Sequence, residues 1–90
     1  MGEVSTDPAT IDRAGIIAGL EAKGTRRDLA SMYADAYLEY REASTNIHDQ
    51  GAMVLHPRTS NPIENPYLKI RDRALAKLRT MRAVKADWLW

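Results

Sequence analysis

The chain has 90 residues, 13 Lys or Arg against 12 Asp or Glu, and no cysteine, which excludes disulfides, thiolate metal sites and thiol nucleophiles. A domain this short buries a modest fraction of its surface, so association with copies of itself or with a partner is expected. No apolar run approaches the ~20 residues that span a bilayer, and Met1 to Thr10 lacks the basic start and apolar core of a signal peptide, so a soluble intracellular protein is expected.

Met1 to Thr6 is polar and reads as a loose start, and Asp7-Pro8 offers an acceptor before a proline at a first helical position. Ile11, Ala14, Ile17 or Ala18, and Leu20 or Glu21 then make a modest apolar stripe. Gly15 and Gly19 each weaken a helix by roughly 1 kcal/mol relative to alanine, so this helix needs packing to persist. Gly24 is its natural stop. Thr25 with Asp28 three residues on reads as a capping-box variant that opens a second helix. Leu29, Met32, Tyr33, Ala36, Tyr40, Ala43 and Ile47 recur at helical spacing with no glycine or proline before Gly51, which predicts about seven turns. Ala52 to Leu55 is a short extended run, and Pro57, Ser60, Asn61 and Pro62 are turn formers, after which Ile63 is placed to pair back as a minimal hairpin. Asn65-Pro66 caps a third helix expected to reach about Ala86, whose stripe of Tyr67, Ile70, Ala74, Leu78, Met81 and Trp88 should pack antiparallel on the second. The fold class predicted is all-α: a short N-terminal helix plus a long helical hairpin with a loop or β-hairpin at its connection, in a single domain over residues 1–90.

The charge is uneven. Met1 to Gly24 and Thr25 to Gly51 each carry a net of minus two, Ala52 to Asn65 balances Arg58 against Glu64, and from Pro66 onward the net is plus five. Lys69, Arg71, Arg73, Lys77, Arg79, Arg82 and Lys85 make this last segment a candidate DNA-binding surface, because clustered cations neutralise phosphates and release condensed counterions. Lys69, Arg73 and Lys77 follow one another at i, i+4, i+8 on one edge of the apolar stripe, with Arg71 and Arg82 on the other edge and Arg79 further round. The same cations have a competing use as partners for Asp35, Glu39 or Glu42 on the second helix. Arg26 and Arg27 extend the basic set weakly. Tyr33, Tyr37 and Tyr40 are amphipathic surface suited to an oligomer or partner interface, or to ordinary core and rim. Trp88 and Trp90 either fill a partner's groove or cover the end of the hairpin.

Catalytic machinery is not visible. His48 and His56 flank Gly51 without cysteine or a tightly spaced carboxylate set, so no metal site and no cofactor are expected. Ser5, Ser31, Ser44 and Ser60 lie in no nucleophile elbow, and Gly15, Gly19 and Gly24 follow no phosphate-loop pattern. Asp35, Glu39 and Glu42 read as a solvated face rather than a Mg²⁺ cluster.

Leu20-Glu21-Ala22-Lys23-Gly24, then Asp28-Leu29, then Tyr33-Ala34-Asp35-Ala36-Tyr37-Leu38-Glu39-Tyr40 resemble the first half of the P27 family of phage terminase small subunits. Ile47 with Gly51, and Asn65-Pro66 followed by Ala74-Leu75 and Leu78-Arg79, are similar to its second half. The resemblance covers about residues 16 to 84 and rests on the order and spacing of motifs that are individually weak. It implies a non-enzymatic subunit in the host cell cytoplasm that forms a ring-like homo-oligomer, binds double-stranded DNA and brings it to a large subunit carrying ATPase and nuclease. The family commonly continues past its last helix with a segment rich in Gly, Pro and Arg, and this chain departs from that at Asp87-Trp88-Leu89-Trp90. The departure and the acidic second helix motivate a second expectation: a shortened, satellite-encoded or accessory protein that binds another small terminase subunit and redirects packaging.

Overall fold

A computed structural model describes residues 10–90, and its elements in chain order are α1 (Arg13–Ala22), α2 (Arg27–Gln50), β1 (Met53–Leu55), β2 (Pro62–Glu64), α3 (Tyr67–Thr80) and a closing 3₁₀ turn, Asp87–Leu89. The expected start at Asp7-Pro8 lies outside the described residues. Within them, residues 10–12 are not helical, and α1 begins where the Asp12 carboxylate accepts from the Gly15 amide at 2.8 Å. That side-chain acceptor satisfies an amide with no partner inside the helix. The inward face of α1 is Ile16, Ile17 and Leu20, joined by Ile11 just before it, whereas Ala14 and Ala18 are exposed. Burying Ile16 and Leu20 completely contributes about 1.5–3 kcal/mol each, enough to offset the roughly 1 kcal/mol that each of Gly15 and Gly19 costs the helix.

Thr25 does not cap α2. Its amide donates to the Leu20 carbonyl at 2.9 Å, while the Gly24 amide donates to Glu21 at 3.0 Å and Gly24 takes φ +97°. These bonds close the end of α1 in a Schellman motif. The cap position of α2 therefore falls on Arg26, in extended conformation and without a side-chain bond to the helix. Asp28 supports the first turn instead, accepting from the Leu29 amide at 2.9 Å and from Arg26 at 2.7 Å. Gly51, at φ +85°, ends α2 as the sequence predicted, with its amide on the Ile47 carbonyl.

The β1–β2 hairpin also forms as expected, antiparallel with Met53 opposite Glu64, Val54 opposite Ile63 and Leu55 opposite Pro62. Asn65 anchors its base. Its amide donates to Ala52, its Nδ2 donates to Asn46 Oδ1 at 3.0 Å and to the Gly51 carbonyl at 2.9 Å, and its Oδ1 accepts from the Tyr67 amide at 3.0 Å. One buried side chain thus caps α3 and fixes where α3 leaves α2.

The third helix runs back along α2: Tyr67 is level with Asn46, Lys77 with Glu39, and Thr80 and Met81 with Met32. Its expected extension to Ala86 is corrected to an end at Thr80. A straight α3 would hold its last residues along α2, whereas ending at Thr80 lets them fold back toward α1 as well. The chain turns instead, and Val84, Ala86 and Leu89 enter the core beside α1 and α2. Trp88, expected on the α3 stripe, packs against α1 at Gly19, where an added Cβ would lie 2.4 Å from its ring. Met32, expected on the apolar stripe of α2, is 61% exposed, and the inward positions are Ala30, Tyr33, Ala34, Ala36, Tyr37 and Ala43.

Candidate nucleic-acid interface

Electrostatic partners sort the basic residues into two groups. Arg26 meets Asp28 at 2.7 Å, Arg27 meets Glu21 at 3.4 Å, Arg71 meets its neighbour Asp72 at 3.2 Å, and Lys77 approaches Glu39 at 3.9 Å. All four pairs are solvent-exposed to a large degree, a setting in which an ion pair contributes about 0–1 kcal/mol. Hydrogen bonding between Arg26 and Asp28 raises the arginine pKa and lowers the carboxyl pKa, so the pair stays charged across the neutral range. Among the described residues, no ion pair or side-chain hydrogen bond engages Lys69, Arg73, Arg79, Arg82 or Lys85, and all five are exposed.

These five do not lie on one face. Lys69 and Arg73 belong to the edge of α3 that borders the acidic side of α2, and Arg73 lines a shallow groove with Glu39, Glu42, Tyr67 and Ile70. Their potential is partly cancelled there. At 3.6 residues per turn Arg79 falls about 120° round the helix from Arg73, and Arg82 and Lys85 follow in the turn after α3 ends. Arg79, Arg82 and Lys85 thus lie at and just beyond the end of α3, where Asp35 of the adjoining groove is already paired with Arg13.

The aromatic set has a different setting. Tyr33 and Tyr37 are buried within the chain, the Tyr37 hydroxyl donates to the Leu89 carbonyl at 3.0 Å, and the Trp90 indole donates to the Tyr33 hydroxyl at 3.0 Å. Trp90 stands edge-on to Tyr37 and tilted over Tyr40, with ring centres 5.2 and 5.1 Å apart, and keeps 58% of its surface exposed. Trp88 is half-buried on α1 and its indole nitrogen has no hydrogen-bond partner. The two tryptophans thus hold the C-terminal segment across α1 and the middle of α2.

Sequence reasoning missed the ties on α1. Arg13 bonds Asp35 at 2.7 Å, which raises the arginine pKa, and also meets the Ser31 hydroxyl, while Arg41 donates to the Ile11 carbonyl at 2.7 Å. Only opposite charge signalled the first contact, and partners 22 residues apart cannot be matched from charge alone. His48 is exposed near the end of α2, while His56 Nδ1 accepts from the Arg58 amide at 3.1 Å. Among the described residues, no group of three or more His, Asp or Glu is arranged to hold a metal ion, and no helix is long and apolar enough to cross a membrane.

A helical pair with a hairpin at its turn and a basic end defines a small helical module. Compared with known families, residues 15–84 match the family model described as phage terminase, small subunit, and the chain belongs to that family. No curated protein and no solved structure matches it. Membership assigns the chain a role in phage DNA packaging.

Proposed function

We propose that this protein is the DNA-recognition subunit of a phage terminase: it self-associates, binds double-stranded DNA and delivers it to a large subunit that carries the ATPase and nuclease. It acts in the host cell cytoplasm, has no catalytic residues of its own, and on the order of its motifs falls in the P27 grouping. The observation that carries the DNA contact is the set of five exposed cations without ion pairs, Lys69, Arg73, Arg79, Arg82 and Lys85. If each neutralises one phosphate, the logarithm of affinity falls with the logarithm of salt at a slope of about −4.5, taking −0.9 per phosphate. Arg79, Arg82 and Lys85 carry most of the contact because Asp35, which shares the groove at the end of α3 with Thr80 and Met81, is already paired with Arg13. Arg26, Arg27, Arg71 and Lys77 add less, each already facing a carboxylate.

Gel retardation of duplex DNA by the purified chain at low salt tests this reading. Retardation that weakens as salt rises is the expected result. No retardation of any duplex, together with co-purification of a full-length small terminase subunit, would replace it with the accessory-protein reading, in which the chain binds another small subunit and redirects packaging.

A further inference from the structure

Apart from Trp90, the strongly exposed large apolar side chains among the described residues lie in two places: Met32 at 61%, and Met53 and Leu55 at 57% and 66%. Met32 borders a groove of roughly 320 Å³ between α2 and α3, lined also by Ala36 and Met81 and rimmed by Asp35, Glu39 and Lys77. Met53 and Leu55 stand on the β-hairpin. Side chains alternate across a two-stranded ribbon, so Val54 and Ile63, both half-buried, share one face, and Met53, Leu55, Pro62 and Glu64 share the other. That second face is apolar over three of its four positions and turned to solvent.

The hairpin cannot reach the groove of its own chain. From Ala36 to Gln50 the helix rises about 20 Å at 1.5 Å per residue, and Asn65 holds the hairpin base against the far end of α2. Charge suits a contact between copies. Glu39 on the groove rim is met only loosely by Lys77, at 3.9 Å, and Arg58 in the hairpin turn has no ion pair among the described residues. Glu64 on the hairpin face complements Lys77.

We propose that the hairpin face of one copy, Met53, Leu55 and Pro62, docks in the Met32–Met81 groove of a second copy. Such a contact joins two different surfaces, so each copy keeps one free groove and one free hairpin and association proceeds head to tail. The inference rests on the self-association included in the functional reading above and names the surfaces that carry it.

Sedimentation velocity over a concentration series tests it with Met32→Lys and Leu55→Lys. Both side chains are exposed, circular dichroism checks that helix content is retained, and Met53→Lys repeats the hairpin arm. The wild type should associate, each variant alone should stay monomeric, and an equimolar mixture of the two should form a dimer, because one partner keeps an intact groove and the other an intact hairpin. A wild type that stays monomeric overturns the docking and removes self-association from the functional reading. Variants that associate as well as the wild type overturn the docking alone. Monomeric variants that the mixture fails to rescue also overturn it, since they indicate a contact between like surfaces.

Discussion

Asn65 is buried to within 1% of full enclosure and is the polar side chain with that burial among the described residues, so every one of its hydrogen bonds bears on stability. Replacing it with alanine strands the Tyr67 amide, Asn46 Oδ1 and the Gly51 carbonyl, and leaving such groups unsatisfied costs about 1–3 kcal/mol. Asn65→Asp keeps the acceptor for Tyr67 but turns a carboxylate oxygen toward two acceptors, so urea denaturation should show a loss at least as large at neutral pH. The sequence announced half of this residue's role. Asn followed by Pro is a local cap signal, whereas Asn46 and Gly51 are 19 and 14 residues away and become partners only once α2 and α3 are antiparallel. Gly19 teaches the same lesson. It reads as a weak point of α1, yet its missing side chain is what admits the Trp88 ring, and Gly19→Ala would place a Cβ 2.4 Å from that ring. Despite alanine's better helix propensity, that substitution should lower stability by about 1–3 kcal/mol, the usual cost of overpacking. A thermal midpoint at or above the wild-type value would show that the ring moves aside freely.

At the scale of elements, the signals that are local and steric were legible. Gly24 and Gly51 stop helices because both positions require positive φ, and the turn formers between Leu55 and Ile63 give the hairpin. Signals that a neighbouring element can override were misread. Thr25 is a good cap by type, but its amide is taken by the end of α1, so the start of α2 relies on Asp28. The Asp28 pKa is lowered by its bond to Arg26, then by the Leu29 amide. A depressed carboxyl contributes stability that is complete above the unfolded pKa and lost as pH falls through the folded one. The thermal midpoints of wild type and Asp28→Asn should therefore differ at neutral pH and converge on acidification below the ordinary carboxylate range. A gap that persists unchanged at low pH would show that the charge is not its source. The end of α3 was hidden for another reason, since no glycine or proline marks Thr80 and the turn follows from burying Leu89 beneath the Trp90 and Tyr37 contacts. Leu89→Ala should cost about 2–5 kcal/mol, as large-to-small core changes do, measured by urea denaturation.

For the molecule as a whole, the contrast between an acidic α2 and a basic α3 was countable in the sequence, but how the charges divide was not. The edge bearing Lys69, Arg73 and Lys77 borders Glu39 and Glu42, and that neighbourhood depends on the rotation of α3 about its axis, which is set by burying Ala74 and Leu78 and so exists only once the two helices pack. Arg79, Arg82 and Lys85 remain as the charge least compensated within the chain. The family match, to a phage terminase small subunit, gives the proposed DNA contact its context. The most direct test is the salt dependence of duplex affinity for the wild type and for the triple variant Arg79→Ala, Arg82→Ala, Lys85→Ala. The account predicts a linear dependence whose slope is shallower in the variant by about 2.7, at 0.9 per lost phosphate contact. Equal slopes for the two proteins, with affinity unchanged, would contradict it.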